Sequence, residues 1–187
     1  MTNLTQVEWS KLPSPEDDGR AAHLTGAKMA SVPLVATDGS VVDLAGVSGL
    51  TVVYAYPMTG RPDTPLPDGW DDIPGARGCT PQSCAFRDHH AELSSFGVSQ
   101  VYGLSTQTSG YQREAVERLH LPFALLSDEN LALASAMRLP TFDVDGLSLL
   151  KRLTLVIRDG VIAEVFYPVF PPDRNAADVM NWLSRQL

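Results

Sequence analysis

The run LTVVYAY at residues 50–56 constrains the fold more than any other segment of this chain. Successive side chains of a strand point to opposite faces of a sheet, so an almost unbroken β-branched and aromatic run predicts a strand that is covered on both faces. Strands of this kind lie at the centre of α/β sheets. We therefore expect layers of helix above and below residues 50–56.

The segments around this strand alternate between strand and helix patterns. Two short extended segments flank the turn Thr37-Asp38-Gly39-Ser40 before it, and a second hairpin turns at Arg158-Asp159-Gly160. Between and after them the patterns predict a strand at VSQVYGLS, a helix at GYQREAVERLHL, an extended piece at PFALLSD, a short helix at NLALASAMRL, and a final helix from 175 to 187. This order indicates an α/β protein with a thioredoxin-like fold, in which helices flank a central mixed sheet that follows an N-terminal β-hairpin.

The length of 187 residues favours one domain over two cramped ones. Residues 1–30 mix Pro, Asp, Gly and Ser with little periodicity, and we interpret them as a lead-in segment. Residues 31–187 are then the thioredoxin-like domain.

Charge and hydropathy exclude some partners. Acidic residues outnumber basic ones by 22 to 14, and no Lys/Arg-rich run is present, so nucleic acid is not an expected partner. The N-terminus lacks a basic stretch followed by an apolar one, and no stretch of 18 apolar residues follows, so we expect neither export nor a membrane. The sequence predicts a cytoplasmic protein.

A long Pro/Gly-rich loop follows the central strand. Residues 57–78 contain five Pro and four Gly in 22 residues, too many for a helix or a strand. Loops of this length in compact domains are usually binding loops, lids or disordered inserts. Trp70 lies in this loop, where it either covers a site or anchors the loop to the body of the domain.

The loop ends at the first of two cysteines. The segment CTPQSCAFRDHHAELSSFG predicts one helix that stops at Gly97, with Thr80 as its N-cap and Pro81 as its first residue. Cys79 therefore lies at a helix N-terminus, where unpaired N–H groups and the helix dipole stabilise a thiolate. A small buried hydrophobic residue is the alternative interpretation.

The second cysteine, Cys84, lies five residues further along the same predicted helix. A neighbouring thiol can resolve a sulfenic acid, whereas a buried structural cysteine needs no such neighbour. The spacing has four intervening residues rather than the two of a C-x-x-C dithiol, which ranks dithiol exchange below peroxide reduction. A stable disulfide framework is not expected from two cysteines in a reducing compartment.

The block GCTPQSCAFRD strongly resembles the active-site helix of peroxiredoxins of the bacterioferritin comigratory protein, or PrxQ, class. The resemblance covers roughly residues 30 to 187, because LTVVYAYP, VYGLSTQ, PFALLSDEN and KRLTLVIRDGVIAEVF are similar to the segments that surround that helix in the family. It implies a thioredoxin-like fold and a thiol-dependent peroxidase.

The resemblance also implies roles for particular residues. Cys79 matches the peroxidatic cysteine, Cys84 the resolving cysteine of the intramolecular, atypical 2-Cys subtype, and Arg152 the arginine that binds peroxide and holds the thiolate. Thr80 and Gln82 match the family pattern after the first cysteine and are expected to bind substrate.

One departure from the family pattern concerns the segment before Cys79. The family usually has Pro-x-x-x-Thr-x-x-Cys, but this chain has Asp72 at the proline position and Ala76 at the threonine position. Pro57 and Thr59 are the candidates for a displaced motif, separated from the cysteine by the inserted loop. They are expected to bind substrate in that case.

The expected reaction is reduction of hydrogen peroxide and organic hydroperoxides through a Cys79 sulfenic acid and a Cys79–Cys84 disulfide. The implied partner is thioredoxin or a similar dithiol reductant, no metal or other cofactor is expected, and the chain is expected to be a monomer or weak homodimer. Two other functions stay open: a thiol-disulfide oxidoreductase and a non-enzymatic redox sensor.

A zinc site formed by Cys79, Cys84, His89 and His90 is disfavoured. Positions 0, 5, 10 and 11 of one helix point in different directions and cannot surround one ion.

Overall fold

The computed structural model describes residues 7–186, and in it the central apolar run becomes a strand with every residue buried. The strands of the main sheet are β1 (Pro33–Ala36), β2 (Val41–Asp43), β3 (Leu50–Ala55), β4 (Val98–Ser105), β5 (Leu125–Ser127), β8 (Leu153–Arg158) and β9 (Val161–Phe166). They lie in the order β2-β1-β5-β4-β3-β8-β9. β3, β4 and β5 are parallel to one another, and the other neighbouring pairs are antiparallel.

Helices cover both faces of this sheet. The helices are α1 (Cys79–Asp88), α2 (His90–Ser95), α3 (Ser109–Leu119), α4 (Ala132–Met137) and α5 (Asn175–Leu183). Val52 and Tyr54 of β3 pack in one core with residues of α1, α2, α3 and α5, whereas Val53 and Ala55 pack in a second core with α4 and residues 21–29. The predicted α/β fold with a mixed sheet between helices is confirmed, and so is the buried central strand.

The active-site helix differs from its prediction in two respects. It ends at Asp88 and a second helix starts at His90, because His89, with φ −98° and ψ 10°, leaves the helical conformation. Its N-cap is Gly78 rather than Thr80, and Cys79 is the first helical residue. Pro81 is consequently the third residue, where it is tolerated because the first four N–H groups of a helix have no partner within it.

A third hairpin, beyond the two predicted ones, was not predicted from the sequence. β6 (Thr141–Val144) and β7 (Leu147–Leu150) form a separate two-stranded sheet immediately before β8. Its turn, Asp145-Gly146, has positive φ at both residues, and Asp-Gly between apolar runs is a hairpin signal that the sequence contained.

The N-terminal segment packs against the domain within the described range. Ala21, Leu24 and Met29 are buried in the core that contains α4, and Trp9–Lys11 form one turn of 3₁₀ helix. Residues 1–6 and residue 187 lie outside the described range, and the division into a lead-in and a domain at residue 30 stays a prediction. No helix within residues 7–186 combines the length and apolar character that crossing a bilayer requires.

Candidate active site

Cys79 lies at the N-terminus of α1, with its side chain 4% exposed. The preceding residue, Gly78, has φ 112°, which glycine adopts without strain. A Cβ atom at this position would lie 2.7 Å from the Trp9 ring and 2.8 Å from Pro172 Cγ, so a side chain there has no room. Glycine at position 78 thus allows the N-terminal segment to close over the start of the helix.

Arg152 approaches Cys79 from the junction between β7 and β8. Its Nη2 lies 3.2 Å from the Cys79 sulfur, and the residue is 3% exposed. The same guanidinium donates to the backbone oxygens of Gly75, Ala76 and Arg77 at 3.2, 3.0 and 3.3 Å. The arginine therefore holds both the sulfur and the end of the loop that leads to it.

The charge of Arg152 has no carboxylate partner among the described residues. Its acceptors, besides the sulfur, are three backbone oxygens and Oε1 of Gln82 at 2.5 Å. A buried charge without a counter-ion is costly, and a negative charge on a neighbouring atom offsets that cost. The Cys79 sulfur is the atom in contact with this guanidinium that can carry a negative charge.

A chain of buried polar side chains fixes Arg152 from behind. Gln82 accepts from Arg152 and donates through Nε2 to Oδ1 of Asn175 at 2.9 Å, while the Thr154 hydroxyl donates to the same oxygen at 2.6 Å. All four residues are at most 3% exposed. Gln82 is thus brought to the site, but its partners there are protein groups.

Sequence reasoning missed Asn175 and Thr154. Thr154 is a polar residue within an apolar strand, which is a weak signal for a buried hydrogen-bonding role. Asn175 begins the last helix, and nothing in the sequence connects it to residues 82 and 152.

A small cavity adjoins the sulfur. Its volume is about 20 Å³, enough for one or two oxygen atoms, since roughly 10–15 Å³ of such space accommodates one water molecule. It is lined by Met58, Gly60, Leu66, Trp70, Ala76, Arg77, Gly78, Cys79 and Thr80. Trp70 is buried in its wall, so it both covers the site and anchors the loop.

Thr80 is the hydroxyl-bearing residue in the lining of this cavity. It is 3% exposed, and its side chain makes no hydrogen bond to another residue of the described chain. A hydroxyl-bearing residue thus lines the cavity, although position 76, where the family usually has threonine, is alanine.

Thr59 is directed elsewhere. Its backbone N–H and its hydroxyl both donate to Oε1 of Gln107, at 2.8 and 3.1 Å, and Gln107 donates back to the Thr59 carbonyl at 3.2 Å. Pro57 is buried beside it, while Met58 and Gly60 line the cavity. The structure does not bring the Thr59 hydroxyl into contact with Cys79, and a substrate-binding role for Pro57 and Thr59 stays a prediction.

Cys84 lies on α1 with Cys79, and both thiols are free. Cys84 is half-buried, and this burial raises the pKa of its thiol, opposed by the positive charges of Arg87 and Arg118. Residues five apart in an α-helix have Cα atoms about 8.6 Å apart, whereas a disulfide requires less than about 7 Å. The two thiols can be joined only after the helix changes conformation.

The histidines after Cys84 make contacts of their own. His89 Nδ1 lies 2.6 Å from a Glu92 carboxylate oxygen, and the His90 ring packs against Phe123. Within residues 7–186 no cluster of His, Cys, Asp and Glu side chains is arranged to hold a metal ion.

Two arginines close to the cysteines in sequence form ion pairs. Arg77 lines the cavity and contacts Asp71 at 3.0 Å, and Arg87 contacts Asp88 at 2.8 Å and the Leu119 carbonyl.

Comparison with known proteins places this arrangement in context. The Redoxin family model matches residues 23–181. Chloroplastic peroxiredoxin Q of Oryza sativa subsp. japonica is 31% identical over 148 residues, covering 78% of this chain and 60% of its own length. Chloroplastic peroxiredoxin Q of Sedum lineare is also 31% identical, and 70% of its length is covered. The crystal structure of peroxidoxin BcpB from Mycobacterium tuberculosis superimposes with a TM-score of 0.69 at 25% identity, covering 88% of this chain and 97% of that one.

A buried cysteine at a helix N-terminus, held by an arginine beside the central strand of a mixed sheet, defines a thiol-redox protein of thioredoxin-like fold. The chain belongs to the Redoxin family. Within that family it is a peroxiredoxin of the PrxQ or bacterioferritin comigratory protein type, and the assignment made from the sequence is confirmed. This chain spans about 60% of the length of the rice relative.

Proposed function

We propose that this chain is a thiol-dependent peroxidase in which Cys79 is the peroxidatic cysteine. The observation that carries the proposal is the contact of 3.2 Å between Arg152 and the Cys79 sulfur, formed by a buried cation with no carboxylate partner in the described chain. Only the thiolate is a nucleophile, and the Arg152 guanidinium lies where it contacts the attacking sulfur. The adjoining cavity holds a molecule with few atoms.

The first half of the cycle oxidises Cys79. The thiolate sulfur bonds to the terminal peroxide oxygen, the O–O bond breaks, and the leaving oxygen takes up a proton and departs as water or an alcohol. Arg152, the N–H groups at the start of α1 and the Thr80 hydroxyl stabilise the charge that develops on the two oxygens. Cys79 becomes a sulfenic acid.

The second half restores the thiol. The Cys84 sulfur bonds to the Cys79 sulfur and water is released, which leaves an intramolecular disulfide. An external dithiol then reduces this disulfide by thiol-disulfide exchange and is itself oxidised. Thioredoxin or a similar dithiol protein is the proposed reductant, and no metal or other cofactor takes part.

Burial of Cys79 favours peroxide over the alternative substrate, a protein disulfide. A cysteine that is 4% exposed, beside a cavity lined by Trp70 and Leu66, cannot meet a disulfide on another protein surface without opening of the loop. The plant relatives are named as chloroplastic proteins, and this location is a property of those relatives. For this chain a cytoplasmic location and a monomeric or weakly dimeric state remain proposals.

The test follows both thiols through one turnover. Purified protein is mixed with one equivalent of hydrogen peroxide, and consumption of peroxide, free thiols and protein mass are measured for the wild type, Cys79→Ser and Cys84→Ser. We expect loss of peroxide consumption in Cys79→Ser, because a serine hydroxyl has no accessible anion at neutral pH. In Cys84→Ser we expect a single turnover that ends in a sulfenic acid at Cys79.

Two other results would assign a different function. Full peroxide consumption by Cys79→Ser would contradict the proposal. Rapid reduction of insulin disulfides without peroxide consumption would identify a thiol-disulfide oxidoreductase, and one slow oxidation without recovery by any dithiol would identify a redox sensor.

A further inference from the structure

The cavity beside Cys79 is walled mainly by the inserted loop. Six of its nine lining residues belong to the loop between residues 57 and 77. Among these six, Leu66 and Trp70 contribute large side chains. The remaining wall is the start of α1. Its volume of about 20 Å³ is comparable with a pair of oxygen atoms, so a branched carbon group attached to them would extend beyond this space.

Packing outside the cavity holds this wall in place. Trp70 is 4% exposed and shares a small hydrophobic core with Ala76 and Leu149. Its ring lies 6.2 Å from that of Phe142, which belongs to the β6–β7 hairpin. Outward movement of Trp70 would expose the indole and break its contact with the hairpin, so the cavity cannot widen without loss of buried apolar area.

The loop is also fastened at its end nearest the sulfur. Arg152 donates to the carbonyls of Gly75, Ala76 and Arg77, and Arg77 contacts Asp71, next to Trp70, at 3.0 Å. The wall residue and the catalytic arginine are thus connected through one short segment of backbone. Displacement of the wall by a large substrate would disturb the group that binds the peroxide.

We propose that Trp70 and Leu66 make this site selective for hydrogen peroxide and exclude hydroperoxides in which the carbon bearing the peroxide group is fully substituted. The inference rests on the proposed peroxidase function and narrows its substrate class. The O–O group must reach the sulfur through the cavity that Trp70 and Leu66 line, and a tertiary carbon attached to it would lie against the indole of Trp70 or the side chain of Leu66.

The experiment compares hydrogen peroxide with cumene hydroperoxide in the oxidation of Cys79. Second-order rate constants are measured by stopped flow under single-turnover conditions for the wild type, Trp70→Ala and Leu66→Ala. Trp182→Ala is the matched control, because Trp182 lies on α5 and does not line the cavity. Circular dichroism establishes which variants are folded.

We expect the wild type and Trp182→Ala to oxidise with hydrogen peroxide at least about a hundredfold faster than with cumene hydroperoxide. In Trp70→Ala and Leu66→Ala the ratio of the two rate constants should shift towards cumene hydroperoxide by about tenfold or more, the size of effect that one or two carbon atoms have in a fitted pocket. The control Trp182→Ala should keep the rate constants of the wild type for both peroxides.

Equal rate constants for the two peroxides in the wild type would overturn the inference while leaving the peroxidase function in place. An unchanged ratio in a folded Leu66→Ala would overturn it as well, even if Trp70→Ala fails to fold. Absence of Cys79 oxidation by either peroxide would instead refute the proposed function.

Discussion

Arg152 combines two tasks that usually fall to separate residues. It contacts the sulfur, and it fastens three consecutive carbonyls of the segment before Cys79. The planar guanidinium can do both because its donors point in fixed, divergent directions. A lysine retains the charge but cannot hold the sulfur and the carbonyls together.

Replacement of Arg152 by lysine should therefore slow the oxidation of Cys79 by about a hundredfold or more, the cost of removing a positioned donor from an active site. Stopped-flow measurement of sulfenic acid formation tests this expectation. Arg158→Lys, at the exposed end of β8, is the control and should leave the rate unchanged. A rate within threefold of the wild type in Arg152→Lys would show that charge alone suffices.

Asn175 acts on the sulfur through Gln82 and Arg152. Asn175→Ala removes the acceptor for Gln82 and Thr154 and should lower the free energy of unfolding by about 1–3 kcal/mol, because buried donors lose their partner. If Asn175 positions Arg152, the folded variant should also oxidise several-fold more slowly. Urea unfolding and stopped-flow oxidation separate the two effects, with Asn181→Ala on the exposed side of α5 as the control. A normal oxidation rate in folded Asn175→Ala would leave Asn175 with a purely structural role.

These residues mark how far the sequence predicts the site. The placement of Cys79 at a helix N-terminus follows from local signals, and the expectation for Arg152 comes from the resemblance to a family. Asn175 was not predictable, because its partners are 93 and 21 residues away in sequence and only the packing of α5 on α1 brings them together.

At the scale of elements, the first turn of α1 has low helix stability, although the helix as a whole is well packed. Gly78 and Pro81 contribute little helix stability, and Thr80 and Ser83 are only moderate helix formers. The helix is also short, since it ends at Asp88 instead of continuing to Gly97 as predicted. This break between two helices depends on the φ and ψ angles of a single histidine. The hydrophobic periodicity of the sequence does not indicate it.

Oxidation should unwind part of this helix. Because the Cα atoms of Cys79 and Cys84 are about 8.6 Å apart in a regular helix, disulfide formation requires at least one turn to open. Hydrogen exchange between residues 85 and 90, measured by mass spectrometry, should be faster in the disulfide form than in the reduced form.

The matched control is Cys84→Ser treated with one equivalent of peroxide, which should keep the exchange of the reduced protein because no disulfide can form. Identical protection in the reduced and disulfide forms of the wild type would remove the role of Cys84 as the resolving thiol.

The strand-rich part of the chain was easier to predict than this helix. The Asp-Gly turns at residues 38–39 and 159–160 mark two hairpins that the structure contains. The same signal at Asp145-Gly146 marks the hairpin that was missed, although its strands TFDV and LSLL flank it in the same manner. This hairpin was missed although its turn signal was present, because the surrounding residues look like an irregular connection between α4 and β8.

At the scale of the whole molecule, the N-terminal segment before residue 30 lies across one end of the sheet and is bound to it. Asp18 accepts from Lys151 at 2.7 Å and from the Tyr167 hydroxyl at 2.7 Å. Lys151 precedes Arg152, so the N-terminal segment is bound one residue away from the active-site arginine. Desolvation on its own would raise the pKa of Asp18, but the hydrogen bonds from Lys151, Tyr167 and the Arg20 backbone outweigh it and lower the pKa to about 2.

A carboxyl group whose pKa is depressed on folding stabilises the protein above its unfolded pKa, about 3.9 for Asp, and loses this contribution as the pH falls to the folded value. Asp18→Asn should therefore lower the free energy of unfolding at pH 7 by about 1 kcal/mol, discounted for the exposure of the pair. The difference from wild type should shrink between pH 4 and pH 2. Urea unfolding across this range measures it, with exposed Asp145→Asn as the control. A difference that is constant with pH would show that ionisation of Asp18 does not contribute.

In the proposed cycle, both thiols lie on one short helix, so the stability of α1 decides how long a sulfenic acid at Cys79 persists before it is resolved. While the helix is intact, the sulfenic acid at Cys79 is separated from Cys84 and exposed to a second peroxide, which converts it to a sulfinic acid that thioredoxin cannot reduce. When the helix opens, the disulfide forms and this risk ends. A substitution that stabilises the first turn of α1 therefore shortens the working life of each molecule in excess peroxide, and one that loosens it yields a protein that survives more oxidative cycles.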